Sequence, residues 1–154
     1  PLFCRGFRPA RSIITGVIMD RKLVHVGIAV RSLGDSVPLF SKLFPQESVK
    51  VEEGADQGVR VAFFRTGECS VELTEATNEH SPIGKFIAKR GEGVHHLSFE
   101  VEDLQAELDR LRSEGFRLID ERPRKGAGGY LIAFLHPSST GGVLIELSQK
   151  QGKG

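Results

Sequence analysis

One pattern occurs twice in this chain, 71 residues apart, and it limits the fold more than any single motif does. "LVHVGIAV" (Leu23–Val30) returns as "VHHLSFEV" (Val94–Val101), with His25 on His96 and Val30 on Val101. Leu33, Val37 and Phe40, spaced for one helix face, return as Leu104, Leu108 and Leu111. "RVAFF" (Arg60–Phe64) returns as "LIAFL" (Leu131–Leu135). "SVELTE" (Ser70–Glu75) then matches "VLIELSQ" (Val143–Gln149), with Glu72 on Glu146 at an offset of 74, so the preceding connection is three residues longer in the second copy. An offset that survives a strand, a helix and another strand marks two copies of one βαβββ unit. The class is therefore α+β. The first copy is expected to place strands near 23–30, 47–53, 58–65 and 69–75, with a helix near 33–44. The second is expected to place strands near 94–101, 116–120, 129–136 and 142–148, with a helix near 103–114. Between them, "SPIGKFIAKRGEG" offers Ser81 as an N-cap and Pro82 at the first helical position, which predicts a linking helix over about 82–90. One domain over 22–149 follows, built of repeats at about 22–76 and 93–149.

Residues 1–18 stand apart. Arg5, Arg8 and Arg11 occur there, the first acid is Asp20 and the only methionine is Met19. The segment reads either as a targeting peptide or as sequence upstream of a start at Met19, and the second reading is preferred. Either way it is excluded from the fold. The expected compartment is the cytoplasm, or the mitochondrial matrix if 1–18 is a transit peptide. A formal net charge of +1 gives no basic field for nucleic acid. No apolar run approaches the roughly 18 residues of a membrane span. Two cysteines, Cys4 and Cys69, make no disulfide framework.

Strand alternation sorts the side chains. His25 shares a face with Gly27 and Ala29, and His96 with Ser98 and Glu100. Val24 and His95 are expected on the opposite, helix-packed faces. Glu72 lies with Ser70 and Thr74, and Glu146 with Leu144 and Ser148. A carboxylate in an apolar strand is costly unless paired or metal-bound. Equivalent histidines and equivalent glutamates in two copies point to one shared partner, a divalent cation held by His25, His96, Glu146 and Glu72. Imidazole and carboxylate donors admit cobalt, zinc, nickel, manganese or iron alike.

"HVGIAV", "SPIGKFIAKRGEGVHH", "KGAGG" and "FLHPSSTGGVLIEL" resemble the methylmalonyl-CoA epimerase family of the vicinal oxygen chelate superfamily, over about residues 22–149. The resemblance implies a curved, mixed eight-stranded sheet wrapped around a metal site. It implies an isomerase of propionate metabolism that interconverts the (2R) and (2S) forms of methylmalonyl-CoA. Family metal ligands carry over onto His25, His96 and Glu146, with Glu72 where members have Gln or Glu. One departure stands out. Several members carry a catalytic glutamate as Gly-Val-x-Glu in the third strand, and here "GVRV" puts Val61 there. Glu146 and Glu72 then become the candidate proton-transfer groups. Lys125, Gly128 and Gly129, in the glycine-rich loop "RKGAGGYL", become candidate substrate contacts, with Arg122 and Arg124 near enough to face CoA phosphates. His80 and His136 are read as structural. The expected partners are an acyl-CoA and a second copy of the chain in a homodimer. Alternatives are a glyoxalase I-like lyase, a ring-cleaving dioxygenase and a non-enzymatic small-molecule binding protein.

Overall fold

A computed structural model describes residues 21–54, 58–126 and 129–151. Segment 1–18 and Gly128 lie outside the described residues. The first unit runs β1 (Leu23–Val30), α1 (Leu33–Leu43), β2 (Lys50–Gly54), β3 (Val59–Thr66) and β4 (Cys69–Ala76). α2 (Pro82–Arg90) links it to β5 (Gly93–Glu100), α3 (Leu104–Ser113), β6 (Arg124–Lys125), β7 (Tyr130–Leu135) and β8 (Ile145–Lys150). The strands form one mixed sheet in the order β2-β3-β4-β1-β5-β8-β7-β6. Each unit's first strand pairs in parallel with its last, β1 with β4 and β5 with β8. The two first strands meet antiparallel at the centre.

The repeat explains the packing position by position. Val30, Leu33, Ala62, Phe64 and Leu73 form one core under α1. Their equivalents Val101, Leu104, Ala133, Leu135 and Leu147 form another under α3. Each fully buried leucine among them contributes roughly 1.5–3 kcal/mol by leaving water. The caps repeat as well. Ser32 and Asp103 accept from the N–H of Asp35 (3.2 Å) and Ala106 (3.0 Å). Glu75 and Gln149 reach across from the last strand of each unit to the first helical N–H, Leu33 (2.7 Å) and Leu104 (2.8 Å). Each helix is thereby fixed over its own sheet half. α2 packs Ile83 and Ile87 on Ala29 and Val59, outside both repeat cores.

Two expectations need correction. Residues 116–120 are not a strand, because only Leu118 bridges to Leu135. The chain then turns away, with Asp120 accepting from the N–H of Phe134 (2.9 Å), and the edge strand forms later, at Arg124–Lys125. Strict alternation also fails in both central strands. Leu23 pairs with Phe99 but His25 with Ser98, and Gly27 pairs with His96 but Ile28 with Val94. Each strand carries one extra residue, Val24 in β1 and His95 in β5. These are β-bulges at equivalent places, 71 residues apart. A bulge releases its residue from the pleat, so Val24 and His95 line the same cavity as His25 and His96 instead of packing under α1 and α3.

Candidate metal centre and active site

The site forms on the inner face of the sheet, where β1 and β5 cross. Gly27 lies directly opposite His96, and a Cβ on Gly27 would fall 2.2 Å from His96 Cε1. The missing side chain is what admits the imidazole. The equivalent position in the second copy is Ser98, opposite His25, and its hydroxyl donates to Glu146 Oε1 at 2.8 Å. Glu72 on β4 sits beside Gly27, and Glu146 on β8 sits beside Ser98. Both carboxylates thus come from parallel neighbours of the histidine strands.

His25, His96 and Glu146 each offer a donor atom, and these atoms lie within 4.8 Å of one another. His25 Nε2 faces His96 Nε2 at 2.8 Å and Glu146 Oε1 at 3.6 Å, and His96 Nε2 lies 3.9 Å from Glu146 Oε2. Two imidazole nitrogens at that separation need something electropositive between them, a proton or a metal ion. Glu72 is placed differently. Its Oε1 lies 3.1 Å from His25 Nδ1, the outer nitrogen of that ring, and it is not in the converging group.

Electrostatics agree with a cation site. Burial pushes His25 down to about 4. Burial, then the neighbouring His25 and His95, hold His96 well below the ordinary histidine range. Both rings are neutral near pH 7 and present lone pairs. Burial pushes Glu146 up to about 7, against the lowering influence of the Ser98 hydroxyl and the Arg124 charge. Glu72 rises to about 7, first by burial and then by the charge of Glu146. The buried Glu146 carboxylate and two neutral imidazoles aimed at one point form a donor set that fits a divalent cation.

The site opens into a cavity of about 400 Å³ whose walls include Lys50 and Glu52 from one edge strand and Arg124 from the other. Opposite edges of an eight-stranded sheet reach one cavity only if the sheet curls, which gives the half-barrel of the vicinal oxygen chelate fold. The bed is apolar, with Val61, Phe63, Ile132 and Phe134. Arg124 lies over the Phe134 ring (5.3 Å to its centroid), its Nε 3.3 Å from Asp120 Oδ1, and Phe134 stands edge-on to His96. Of the loop residues singled out from the sequence, Lys125 is exposed, and Gly129 has φ 78°, the left-handed region glycine favours. Neither lines the cavity. The anchored cation is Arg124. Nothing in the local pattern ranks it above Arg122 or Lys125. Its place emerges only when β6 pairs Arg124 with Ile132, as β2 pairs Glu52 with Val61, the residue equivalent to Ile132. His136 accepts from Ser138 N–H at 3.1 Å in the turn before β8, outside the cavity, and His80 is exposed.

Residues 24–134 match the model of the glyoxalase/bleomycin resistance protein/dioxygenase superfamily. The chain belongs to that superfamily. Within it, the mitochondrial methylmalonyl-CoA epimerase of Dictyostelium discoideum is 36% identical over 138 residues, 89% of this chain and 83% of that protein. An uncharacterized Bacillus subtilis protein, YqjC, is 38% identical over 131 residues, 85% of this chain and 94% of that protein. A variant of Streptomyces coelicolor methylmalonyl-CoA epimerase, solved in complex with 2-nitronate-propionyl-CoA, superposes with a TM-score of 0.79 at 36% identity, covering 85% of this chain and 95% of that one. Among the described residues, no helix is long and apolar enough to cross a membrane.

Proposed function

We propose that this protein is an epimerase that interconverts (2R)- and (2S)-methylmalonyl-CoA. The observation that carries the reading is the pair of buried carboxylates from opposite units flanking two neutral imidazoles, in a chain 36% identical to the methylmalonyl-CoA epimerase of Dictyostelium discoideum. The C2 proton of the substrate lies between a thioester carbonyl and a carboxylate, and its removal leaves an enolate. His25, His96 and Glu146 would hold a divalent cation, which would supply positive charge for a developing enolate oxygen. The ion is read as cobalt first, with zinc, manganese, nickel or magnesium as alternatives.

Inverting C2 takes a proton from one face and returns one to the other. Glu72 and Glu146 reach the site from β4 and β8, on either side of the central pair, so each can serve one direction of transfer, Glu146 doing so while also a ligand. One carboxylate accepts the C2 proton as the C–H electron pair enters the enolate. The other donates a proton to the opposite face. Val61 supplies no base, and Glu72 takes that part. Val61, Phe63, Ile132 and Phe134 keep water from the enolate, and Arg124 faces the acyl carboxylate. The acyl-CoA enters from the open side of the half-barrel. A homodimer is proposed through the β2 edge, where Val51 is exposed, with the cytoplasm as compartment.

Isotope exchange tests the proposal. Metal-loaded protein incubated with one epimer in deuterium oxide should place deuterium at C2 as the epimers equilibrate. Glu72→Gln should slow this about 10²–10⁴-fold while metal stays bound. No exchange at C2 would return the protein to the lyase or binding-protein alternatives.

A further inference from the structure

The bulge at His95 brings a third imidazole to the centre, and neither the donor set nor the proton transfer uses it. His95 Nδ1 lies 3.0 Å from His96 Nδ1, with the two rings nearly perpendicular (89°). On its other side His95 packs edge-on against Phe86 of α2, centroids 4.9 Å apart. His96 meanwhile turns its Nε2 toward His25 and Glu146. A neutral imidazole has one N–H and one lone pair. Once Nε2 commits its lone pair to a cation, the proton must sit on Nδ1, and the acceptor in reach there is His95 Nδ1. His25 shows the same arrangement with a different partner, its Nδ1 facing Glu72.

We infer that His95 is a positioning residue that holds His96 in its Nδ1–H tautomer with Nε2 presented to the metal. The inference rests on the metal-centre reading above. It assigns the double histidine two roles, one inner and one outer. His95 must carry its own proton on Nε2, and as a neutral acceptor it orients His96 without adding negative charge. On the first unit the same task falls to a carboxylate, which polarises His25 more strongly. The equivalent bulge residue there, Val24, has no acceptor to offer. Phe86 fixes the outer ring, so α2, which belongs to neither repeat, becomes part of the support for the site.

Two measurements test this. In zinc-loaded protein, ¹⁵N-resolved imidazole spectra should show the His96 proton on Nδ1 and the His95 proton on Nε2. A His96 proton on Nε2 would overturn the inference without any variant. Competition with a chromophoric chelator should show His95→Leu binding zinc about 10–100-fold more weakly than wild type. His95→Asn, which keeps an acceptor near the Nδ1 position, should restore most of that loss. Wild-type affinity in His95→Leu, or an equal loss in both variants, would overturn it. Wild-type protein that took up no ion would overturn the metal centre and this inference together, whereas intact affinity with no C2 exchange would overturn the epimerase reading alone.

Discussion

The two units share a core almost residue for residue, yet they differ at the centre they enclose. Leu73 and Leu147, or Phe64 and Leu135, do the same packing job in each half. Around the site, Gly27 stands where the second unit has Ser98, Val24 where it has His95, and edge residue Glu52 where it has Arg124. The first unit brings Glu72 to the outer side of its histidine. The second places Glu146 against the inner side of both. Packing needs only volume and period, so both copies satisfy it alike. The substrate proposed to bind between them has no twofold symmetry, so the site residues of the two halves divide the work.

The sharpest break in this comparison is Gly27→Ala against Ser98→Ala. Alanine at 27 puts a methyl group where His96 Cε1 lies, so the ring must leave the centre. Metal affinity should fall at least ~100-fold, a loss larger than removing an outer-shell partner brings. Epimerase activity should fall with it. Ser98→Ala removes one hydroxyl donor from Glu146 and should cost affinity about tenfold. Chelator competition on both variants checks the ranking. Equal losses would mean that the glycine is not what makes room for His96.

How much of this could be read from the chain follows the same division. The repeat exposed the architecture because matched apolar positions set both period and order. It exposed His25, His96, Glu72 and Glu146 because polar residues recurred where apolar ones belong. The bulges were not legible. An extra residue in a strand leaves no mark on the chain itself, and alternation read straight through it assigned Val24 and His95 to the wrong face. Residues 116–120 misled for a related reason. Their strand-like composition met only one pairing partner, and the edge formed beyond Pro123, at Arg124–Lys125, inside the stretch 121–125 that the offset of 71 assigns as the counterpart of β2. Arg124 was one basic residue among three until its pairing with Ile132 set it on the cavity wall.

Edge residues offer the next test. Arg124 is held over Phe134 and beside Asp120, while Lys125 points to solvent. A charge-assisted contact to the acyl carboxylate contributes about 1.5–3 kcal/mol, so Arg124→Gln should lower kcat/KM roughly 10–100-fold. Lys125→Gln should change it little. The Arg124→Gln defect should persist with a methylmalonyl thioester that lacks the nucleotide phosphates. If it disappears with that substrate, Arg124 holds the CoA phosphates and not the acyl carboxylate.

The smallest expected effect concerns stability and pH, and it separates the two carboxylates. In ion-free protein, Glu72 and Glu146 titrate near 7 when folded and near the ordinary 4.5 when unfolded. The folded state therefore binds more protons across that window, and stability falls as pH rises through it. His25 works from the other side, at about 4 folded against 6.5 unfolded, so its contribution is lost as pH falls from 6.5 toward 4. His96, also held low, works the same way, so the two histidines offset the two carboxylates between about 4.5 and 6.5, and the net fall in stability comes as pH rises past 6.5. A cation at a hundredfold excess over its Kd adds about 2.7 kcal/mol, several degrees in Tm. That gain should grow with pH as the donors lose their protons. Glu146→Gln should remove both its share of the alkaline fall and most of the metal gain. Glu72→Gln should flatten the alkaline fall and leave most of the metal gain in place. Calorimetry of the three proteins from pH 5 to 8, with and without zinc, reads all of this, and equal loss of the metal gain in both variants would make Glu72 a ligand of the same rank as Glu146.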